Sequence, residues 1–400
     1  MADALPSFTF ELSQEARTIE RSMMRDLLSV AARPGIISFA GGLPAPELFP
    51  VKAWGEACSA VLVRDGQGAL QYGPPFPPLL EKIGALMGAR GYPADPSRIL
   101  ITTGAQQGLH VAARLLMDAD STAVVDRFVF TGVRQAFGGP RRRLRPVAGT
   151  PEDGLDVDNF AAALRRPPRP RAAVVIPSFH NPMGVSLTED KRDAVAELCA
   201  RHGVAIVEDD PYGLLAFEGP PPLPIAARWP EGAIYIGSFS KTVAPALRLG
   251  WLVAPPDLVA RLRVLKESVD LETSAFSQRA LSHFLAAGHL EAHLANLRRA
   301  YRARRDAMLA ALAAHFPAGS RWSHPGGGMF LWVELPAGFD SAALLPAAIA
   351  AGVAYVPGTA FSASPSPATM RLNFSNSPPD HIAEGVRRLG AVLDSAALAA

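Results

Sequence analysis

Short apolar runs alternate with longer stretches of helical pattern between residues 95 and 255. The runs are ILITTG, TAVVD, AAVVIP, VAIVED, AIYIGSF and LGWLVAP. Apolar runs of this length between helices are typical of buried strands in a mostly parallel sheet, because crossover helices cover both faces of such a sheet. The alternation therefore predicts an α/β fold with a mostly parallel central sheet.

The length of the chain, 400 residues, exceeds what one hydrophobic core usually serves. Residues 51–285, which contain the apolar runs, are predicted to form a large domain. The pattern over 255–315 is almost wholly helical, and strands return at MFLWVEL and VAYVPG, so we expect a smaller α+β domain over 286–400. The N-terminal segment, residues 1–50, carries one short helical pattern and is expected to pack with that small domain.

The composition argues against several classes of protein. Hydrophobic residues make up 49% of the chain and charged residues 19%, which is typical of a globular enzyme and not of a disordered chain. The two cysteines, Cys58 and Cys199, form neither a disulfide framework nor a metal-ligand pattern. Because the sequence shows no signal-peptide pattern and no membrane-spanning run, we expect a cytoplasmic protein without a metal and without a membrane partner.

The formal net charge is +2, although two basic runs occur. No aromatic residues interleave with Arg141-Arg142-Arg143 or with Arg304-Arg305, as they would in a nucleic-acid patch. We therefore expect no nucleic-acid partner, and we interpret both runs as solvated faces of loops and helices.

The segment Ser238-Phe239-Ser240-Lys241 directly follows the predicted strand AIYIG. In an extended chain the two serine side chains point the same way, and Lys241 starts the turn beyond them. Two hydroxyls beside one amine suit an anionic group with an aldehyde nearby. Arg248 follows seven residues later and could complete a phosphate clamp. Taken alone, such a string is most often an ordinary solvated loop.

Three acidic residues, Glu208, Asp209 and Asp210, end the predicted strand VAIV and precede Pro211-Tyr212. Open α/β sheets bind their ligands at the carboxyl ends of the strands. A buried carboxylate without a partner is costly, so one of these residues needs a cation. A protonated pyridine nitrogen would serve, and a helix N-cap in a loop is the competing explanation.

Three further segments lie next to predicted strands or within one. Thr103-Gly104-Ala105-Gln106 precedes a helix, whose N-terminus offers N–H groups to a phosphate while small residues permit close approach. Asn181-Pro182-Met183-Gly184 follows AAVVIP and is equally well explained as a plain turn. Arg371 lies in the apolar segment MRLNFS, where a guanidinium favours bidentate pairing with a carboxylate.

The order of these segments is that of the fold-type I aminotransferases, which use pyridoxal 5'-phosphate (PLP). Over nearly its whole length the sequence resembles the α-aminoadipate and kynurenine/aminoadipate aminotransferases of class I/II. The resemblance rests on ISFAGGLPAPELFP, LQYGP, ILITTGAQQGL, IPSFHNPMG, VEDDPY, YIGSFSK, GGMFLWVELP and MRLNFS. It implies an enzyme that moves an amino group between an L-amino acid and a 2-oxo acid, and a homodimer with shared active sites.

The resemblance also implies roles for single residues. Lys241 would bind PLP as a Schiff base and later move the proton of the substrate Cα. Asp209 would keep the pyridine nitrogen protonated, so that the ring withdraws electrons. Asn181 and Tyr212 would form hydrogen bonds with the ring oxygen, and Phe130 would stack on the ring.

The phosphate and substrate contacts are implied in the same way. The residues predicted to hold the phosphate are Gly104, Ala105, Gln106, Ser238, Ser240 and Arg248. Tyr72 would reach that phosphate from the partner subunit. Arg371 would bind the substrate α-carboxylate, and the other predicted substrate contacts are Gly42, Asn181, Ser22 and Arg25. Arg25 would suit a glutamate-like or 2-aminoadipate-like donor, whereas its neighbours Met23 and Met24 would suit a bulky apolar one, so both donor classes stay open.

The chain departs from the family pattern directly after TAVV. The family has an acidic residue, any residue, Pro, any residue and Tyr, whereas this chain has Asp126-Arg127-Phe128-Val129-Phe130. Phe130 can still stack on the ring, although the phenol oxygen is missing. Ala105 stands where a serine is common. These departures leave both the substrate and the reaction type open.

Three other classes of function compete with an aminotransferase, and one of them, a catalytically inactive binding protein, is disfavoured by the presence of both Lys241 and Asp209. The same fold also carries PLP-dependent decarboxylases, lyases and cyclases, and fold alone does not decide between them. Arg371 argues against decarboxylation, because a carboxylate held in an ion pair resists loss as carbon dioxide. A transcription regulator with an aminotransferase-like domain is disfavoured, because only about 20 residues precede the first family-like helix.

Overall fold

The computed structural model describes residues 9–18, 27, 29, 33–362, 364 and 366–399. The α-helices in these ranges are α1 Gln14–Thr18, α2 Val51–Arg64, α3 Pro77–Ala89, α4 Ala105–Leu116, α5 Thr131–Phe137, α6 Val157–Arg165, α7 Glu189–His202, α8 Pro256–Asp270, α9 Ala275–Ala286, α10 His289–His315, α11 Ser341–Ala350 and α12 Pro379–Ala399. The strands are β1 Ile37–Ser38, β2 Ile99–Thr102, β3 Thr122–Asp126, β4 Arg143–Val147, β5 Gly149–Thr150, β6 Gly154–Leu155, β7 Ala172–Val175, β8 Ala205–Asp209, β9 Ala233–Ser238, β10 Gly250–Val253, β11 Arg321–Trp322, β12 Phe330–Glu334, β13 Val353–Ala354, β14 Val356–Pro357 and β15 Thr369–Asn373.

The central sheet has seven strands in the order β2-β10-β9-β8-β7-β3-β4. Strand β10 runs antiparallel to both of its neighbours, and every other pair in the sheet is parallel. The predicted α/β fold with a mostly parallel sheet is therefore confirmed, and each of the six apolar runs contains one of its strands. The seventh strand, β4, lies at the edge of the sheet and begins at Arg143, which the sequence analysis wrongly assigned to a solvated loop. An edge strand is largely exposed and needs no apolar run to mark it.

Both faces of the central sheet are buried, because successive side chains of each strand enter different cores. In β2, Ile99 and Ile101 belong to one core and Leu100 to the other. The first core also takes side chains from α2, α3, α6, α7 and α9, and the second takes them from α4, α5 and α8. Helices therefore pack on both faces of the sheet and hold the strand ends at its carboxyl edge in place.

A second sheet of four antiparallel strands, in the order β11-β12-β15-β14, lies in the C-terminal part of the chain. Beside it β1 pairs in parallel with β13, and the helices α10 and α12 pack along each other. The core of this region contains Phe39 together with Leu331 and Leu372. The segment that carries Phe39 is therefore packed with the C-terminal sheet, far from it in sequence.

The arginines of the second basic run are buried, contrary to the prediction of a solvated helix face. Arg304 is 5% exposed and Arg305 is 6% exposed, both on α10. Arg304 binds Glu47 and the carbonyl of Ser375. Arg305 binds Glu218 and donates to the carbonyl of Pro325 at 2.6 Å. A charged side chain tolerates burial when it is paired in this way, and its partners come from segments distant in sequence.

A run of three glycines, Gly326-Gly327-Gly328, precedes β12, and two of them lie against Phe179, which follows β7. A Cβ atom at Gly327 would collide with the ring of Phe179, and one at Gly328 would lie 2.5 Å from the Cβ of Phe179. Gly328 also has a φ of +72°, a conformation that favours glycine. The backbone before β12 therefore packs directly on the Phe179 side chain, which leaves no room for a side chain at Gly327 or Gly328.

The central strand β10 supplies a test of this packing. Leu252 is fully buried, and a Cβ atom at Gly108 on α4 would lie only 3.2 Å from its side chain. Leu252→Ala should lower the free energy of unfolding by about 2–5 kcal/mol, because the cavity cannot close. Denaturant titration of the purified protein measures the change. The matched control is Leu398→Ala, at a side chain that is 90% exposed, and an equal loss there would contradict the packing described.

Candidate active site

Most of the residues predicted to bind the cofactor meet at the carboxyl edge of the central sheet. Strands β7, β8 and β9 are parallel neighbours and are followed or ended by Asn181, Asp209 and Lys241. Strand β2 ends at the same edge, where Gly104 begins the turn into α4, and β10 starts there after Arg248. Three loops (after β2, after β7 and between β9 and β10) and the end of β8 thus converge on one place.

The three acidic residues of β8 and its end are all buried, and each has a different environment. Glu208 accepts hydrogen bonds from the backbone N–H groups of Ile225 and Ala226, at 3.1 and 2.7 Å. Asp210 pairs with Arg90 at 2.6 Å and also accepts from the Tyr235 hydroxyl and the Gly213 N–H. The cationic partner that the protein supplies to this acidic run is therefore Arg90, which pairs with Asp210.

Asp209 is the carboxylate that the surrounding protein does not balance. It is 3% exposed, and its Oδ1 atom finds no hydrogen-bond partner among the described residues. Burial, and then the neighbouring charge of Asp210, raise the pKa of Asp209 to about 7. Such a carboxylate is stabilised by a cation brought in from outside. A protonated pyridine nitrogen fits that requirement, and Asp210 is already occupied.

Lys241 lies in the turn directly after β9 and is half-buried. Its Nζ atom donates a hydrogen bond to the carbonyl oxygen of Gly42 at 2.7 Å. Burial, followed by the positive charges of Arg371 and Arg248, lowers the pKa of Lys241 to about 8. A lysine with a lowered pKa has a larger neutral fraction near neutral pH and is a better nucleophile toward an aldehyde.

A small cup for an anion lies between the turn before α4 and the loop before β10. Arg248 donates to Ser240 Oγ at 3.4 Å and to the Thr103 carbonyl at 3.2 Å. Gly104 has a φ of +83°, and a Cβ atom there would collide with the guanidinium of Arg248. The glycine therefore lets the guanidinium of Arg248 lie directly against the turn before the helix N-terminus, whose first N–H groups have no acceptor within the helix.

Three of the other predicted phosphate contacts flank this cup. Ser238 Oγ accepts from the backbone N–H of Ser240 at 3.1 Å, so the two serines lie together. Ala105 is the first residue of α4 and offers only its backbone. The side chain of Gln106 donates to the carbonyl of Gly132 at 3.0 Å, which leaves its backbone N–H for an anion. The donors of this cup suit a phosphate group.

Arg371 is fully buried in β15, in the C-terminal sheet, as the sequence predicts for its strand. Its guanidinium donates to Asn181 Oδ1 at 2.8 Å and to the Ala40 carbonyl at 2.6 Å. The rings of Phe330 and Phe361 lie 4.2 and 4.9 Å from it. Burial lowers the pKa of Arg371 to about 9. The guanidinium is thus held rigidly, in an environment that strengthens its attraction for a carboxylate.

Tyr212 lies between the two charged ends of the site. Its hydroxyl accepts from Asn181 Nδ2 at 3.4 Å, and its ring packs edge-on against Phe330 at 5.6 Å. Burial raises the pKa of Tyr212, the negative charge of Asp209 raises it further, and Arg371 opposes both. The hydroxyl therefore stays protonated and available as a hydrogen-bond donor.

The segment that departs from the family pattern has two aromatic side chains in different places. Phe130 is half-buried at the start of α5, where a Cβ atom on Gly132 would collide with its ring. Phe128 is 6% exposed and packs on Trp332 of β12, with 4.7 Å between the ring centres. Phe128 therefore belongs to a core that joins this loop to the C-terminal sheet, whereas Phe130 packs, half-buried, against the core under α4 and α5.

Four predicted contacts remain: Gly42, Tyr72, Ser22 and Arg25. Gly42 meets Lys241 through its carbonyl, as described above. Tyr72 is 75% exposed, on the segment between α2 and α3. Ser22 and Arg25 lie outside the described residues, so their predicted substrate contacts stay predictions.

Two aromatic side chains and one threonine were missed by the sequence analysis. Phe330 lies in the family-like stretch GGMFLWVELP, which gave a signal for the region but not for the residue. Phe361 has no local signal. Thr103 uses its hydroxyl to donate to Asp270 at 2.6 Å and its carbonyl to hold Arg248, a role that depends on a residue far along the chain.

Comparisons with known proteins define the class of this site. The profile of the class I and II aminotransferases matches residues 36–389, and the chain belongs to that family. An aromatic-amino-acid aminotransferase of Thermococcus litoralis is 38% identical over 395 residues, which cover 96% of this chain and 94% of the relative.

Solved structures agree with this assignment. A kynurenine aminotransferase of Pyrococcus horikoshii, in complex with PMP, is similar with a TM-score of 0.91 and 36% identity, covering 96% of this chain and 97% of that one. An α-aminoadipate aminotransferase of Thermus thermophilus, complexed with N-(5'-phosphopyridoxyl)-L-leucine, has a TM-score of 0.90 and 36% identity, covering 97% and 98%. The protein is a PLP-dependent aminotransferase of fold type I, which acts on amino acids and 2-oxo acids.

Neither a membrane-spanning helix nor a metal-binding cluster occurs in the described ranges. None of the helices in these ranges is both long and apolar enough to cross a membrane. Among the same residues, no group of three or more His, Cys, Asp or Glu side chains is arranged to hold a metal ion.

The different environments of Asp209 and Asp210 predict opposite effects of the same substitution. Asp210→Asn leaves the buried Arg90 without its charge partner and should cost about 3–5 kcal/mol of stability. Asp209→Asn should instead raise the thermal midpoint of the apoenzyme at pH 8. The folded-state pKa of Asp209, about 7, lies above its unfolded value, so its ionisation reduces stability progressively as pH rises toward 7.

The loss of kcat in the presence of PLP should be larger for Asp209→Asn than for Asp210→Asn, the reverse of the order of their effects on stability. Asp209→Asn should lower kcat by ~10²–10³-fold, because an amide cannot hold the pyridine nitrogen protonated. Asp210→Asn should retain most of its kcat where it remains folded. Calorimetry of the apoenzymes and steady-state kinetics measure the two effects, and a larger kcat loss in Asp210→Asn would assign the ring contact to Asp210.

Proposed function

We propose that this aminotransferase holds PLP through Lys241 and Asp209 and takes amino groups from bulky apolar, 2-aminoadipate-like or glutamate-like L-amino acids. The observation that carries the proposal is the pair of unusual groups at the ends of two neighbouring strands. Lys241 follows β9 with a pKa lowered to about 8, and Asp209 ends β8 with an unpartnered, buried oxygen. Together they match an aldehyde and a protonated ring nitrogen on one flat molecule.

Each residue has a separate task in this proposal. PLP, when bound, withdraws electrons from the Cα atom of the amino acid. Lys241 would hold the cofactor covalently as a Schiff base, and its amine would move the proton at the substrate Cα. Asn181 and Tyr212 would donate to the ring oxygen, and Phe130 would stack on the ring. The groups that hold the phosphate are those of Gly104, Ala105, Gln106, Ser238, Ser240 and Arg248.

Arg371 binds the α-carboxylate that every donor and acceptor shares, and the Gly42 loop closes this end of the site. The rigid hold on the guanidinium by Asn181 and Ala40 supports this role, since bidentate pairing requires fixed geometry. A carboxylate kept in such a pair is retained, which favours amino transfer over decarboxylation.

Two observations support a broad choice of donor. The aromatic rings of Phe330 and Phe361 beside Arg371 favour an apolar side chain. The relatives described above are named for aromatic amino acids, kynurenine and α-aminoadipate, and one is complexed with a leucine adduct. Arg25, with Ser22, is proposed to meet the distal carboxylate of an acidic donor.

We further propose a homodimer in which Tyr72 contacts the phosphate bound by the partner subunit. Tyr72 lies among exposed apolar side chains, with Leu70 at 72% and Leu271 at 60% exposure. A cavity of about 280 Å³ beside Tyr72 is also lined by Leu271 and Lys266. Large exposed apolar patches mark protein interfaces, and an active site completed there requires the second copy.

The proposal also includes the predicted division of the chain. Residues 51–285 form the large domain, and 286–400 form the small domain, with which the segment up to residue 50 packs. The pairing of β1 with β13 supports the last point. The cytoplasmic location stays a prediction.

The half-reaction with a panel of L-amino acids tests the chemistry. The absorbance of bound PLP should convert to that of the pyridoxamine form with phenylalanine, leucine, glutamate or 2-aminoadipate, and 2-oxo acids should reverse it. Lys241→Ala should abolish the conversion and also the adduct that borohydride traps. Wild-type enzyme that traps PLP at a different lysine, or that converts with no amino acid in the panel, would refute the assignment.

Mixed dimers test whether the active site is shared. Tyr72→Ala should weaken PLP binding by ~10-fold, the effect of one hydrogen bond to a charged group, so that it is inactive at limiting PLP. Lys241→Ala is inactive at any PLP concentration. Hybrids of the two variants contain one site with both residues intact only if Tyr72 acts across the interface. Recovery of activity on mixing supports the shared site, and its absence in verified hybrids places Tyr72 in its own subunit.

A further inference from the structure

A histidine and an aspartate without a role in the proposed reaction lie buried beside the site. His180 and Asp126 are 4% and 8% exposed, and His180 Nε2 lies 3.3 Å from Asp126 Oδ2. Asp126 ends β3, and His180 lies in the loop after β7, the strand that pairs with β3. The pair therefore joins two loops at the carboxyl edge of the sheet: the loop that carries Phe130 and the loop that carries Asn181.

A second contact orients the ring of His180. Its Nδ1 atom accepts a hydrogen bond from the backbone N–H of Met183 at 3.3 Å. A ring nitrogen that accepts carries no proton, so the neutral ring has its proton on Nε2, which faces Asp126. The carboxylate of Asp126, 3.3 Å from Nε2 but outside hydrogen-bond geometry, favours this tautomer through its charge, and the tautomer lets His180 hold the turn that follows it.

That turn is closed on His180 through its backbone as well. The N–H of His180 donates to the Val185 carbonyl at 2.8 Å, and the N–H of Gly184 donates to the His180 carbonyl at 2.6 Å. Gly184 has a φ of +72°, and a Cβ atom there would collide with the carbonyl oxygen of Phe330. The turn is therefore pressed against β12, and the residue that it presents to the site is Asn181.

We propose that His180 and Asp126 form a positioning pair, which holds Asn181 where its amide oxygen fixes Arg371 for the substrate α-carboxylate. This inference rests on the proposed role of Arg371. Neither member of the pair touches the substrate, and both act through the turn. Their loss therefore weakens the binding of carboxylates and leaves proton transfer by Lys241 nearly intact.

Kinetics of the PLP-loaded enzyme and its His180 variants supply the first test. Glutamine at position 180 can accept from the Met183 N–H and donate toward Asp126, whereas alanine can do neither. His180→Ala should raise KM for both the amino acid and the 2-oxo acid by ~10-fold, with kcat changed by less than ~3-fold. His180→Gln should return KM most of the way to its wild-type value. A loss confined to kcat overturns the proposal.

Binding without turnover supplies the second test. 3-Phenylpropanoate offers a carboxylate and an apolar tail but no amino group, and its Kd can be followed by the absorbance of bound PLP. The Kd should rise ~10-fold in His180→Ala, which loses the hydrogen bond from the Met183 N–H, and should also rise in Asp126→Asn, which removes the negative charge 3.3 Å from Nε2. His283→Ala is the matched control, because that histidine lies 3.7 Å from Asp65, outside the site, and its loss should leave the Kd unchanged.

Arg371→Ala, measured alongside, separates this inference from the proposed function. If Arg371→Ala leaves the Kd for 3-phenylpropanoate unchanged, the proposed role of Arg371 fails. If Arg371→Ala raises the Kd but His180→Ala and Asp126→Asn do not, the role of Arg371 stands and the positioning pair is refuted.

Discussion

The burial of three consecutive carboxylates at the end of β8 is the constraint around which the site is arranged. Burying an ionised carboxylate is costly unless hydrogen bonds or an opposite charge offset the loss of water. Two backbone N–H groups do this for Glu208, and Arg90 does it for Asp210. Of the three, only Asp209 keeps an oxygen without a hydrogen-bond partner among the described residues, which leaves it available for the cationic ligand that we propose.

The opposite end of the site contains a buried positive charge in place of a buried negative one. Arg371 is buried among aromatic rings and neutral oxygens, which lowers its pKa to about 9 and sharpens its preference for an anion. The two ends belong to different sheets, Asp209 to the central sheet and Arg371 to the C-terminal sheet. Both charges act on Tyr212, because Asp209 raises its pKa and Arg371 lowers it. In the proposed site, a substrate that carries a carboxylate next to a cofactor-bound amine would bridge the two sheets.

The sequence predicted those features that depend on local pattern. Strands buried on both faces must be apolar, so the runs that contain β2, β3 and β7 to β10 were recognisable, and Arg371 stood out within an apolar strand. The edge strand β4 lacks such a run and was missed. The partner of Asp210 could not be predicted, because Arg90 lies 120 residues away and its local sequence gives no sign of the pairing. Arg304 and Arg305 were misinterpreted for the same reason, since their partners Glu47 and Glu218 come from distant segments.

The glycine run Gly326-Gly327-Gly328 has a consequence for the choice of substrate. Because Gly327 and Gly328 pack directly on the side chain of Phe179, the distance between the loop after β7 and the start of β12 is set by that one aromatic side chain, with no side chain opposite it. A side chain added at either glycine would push the start of β12, and Phe330 with it, away from the loop that carries Asn181. The width of the cleft is therefore encoded by two absent side chains. Enlarging the range of accepted donors by widening that cleft would simultaneously loosen the grip on the group that all donors share.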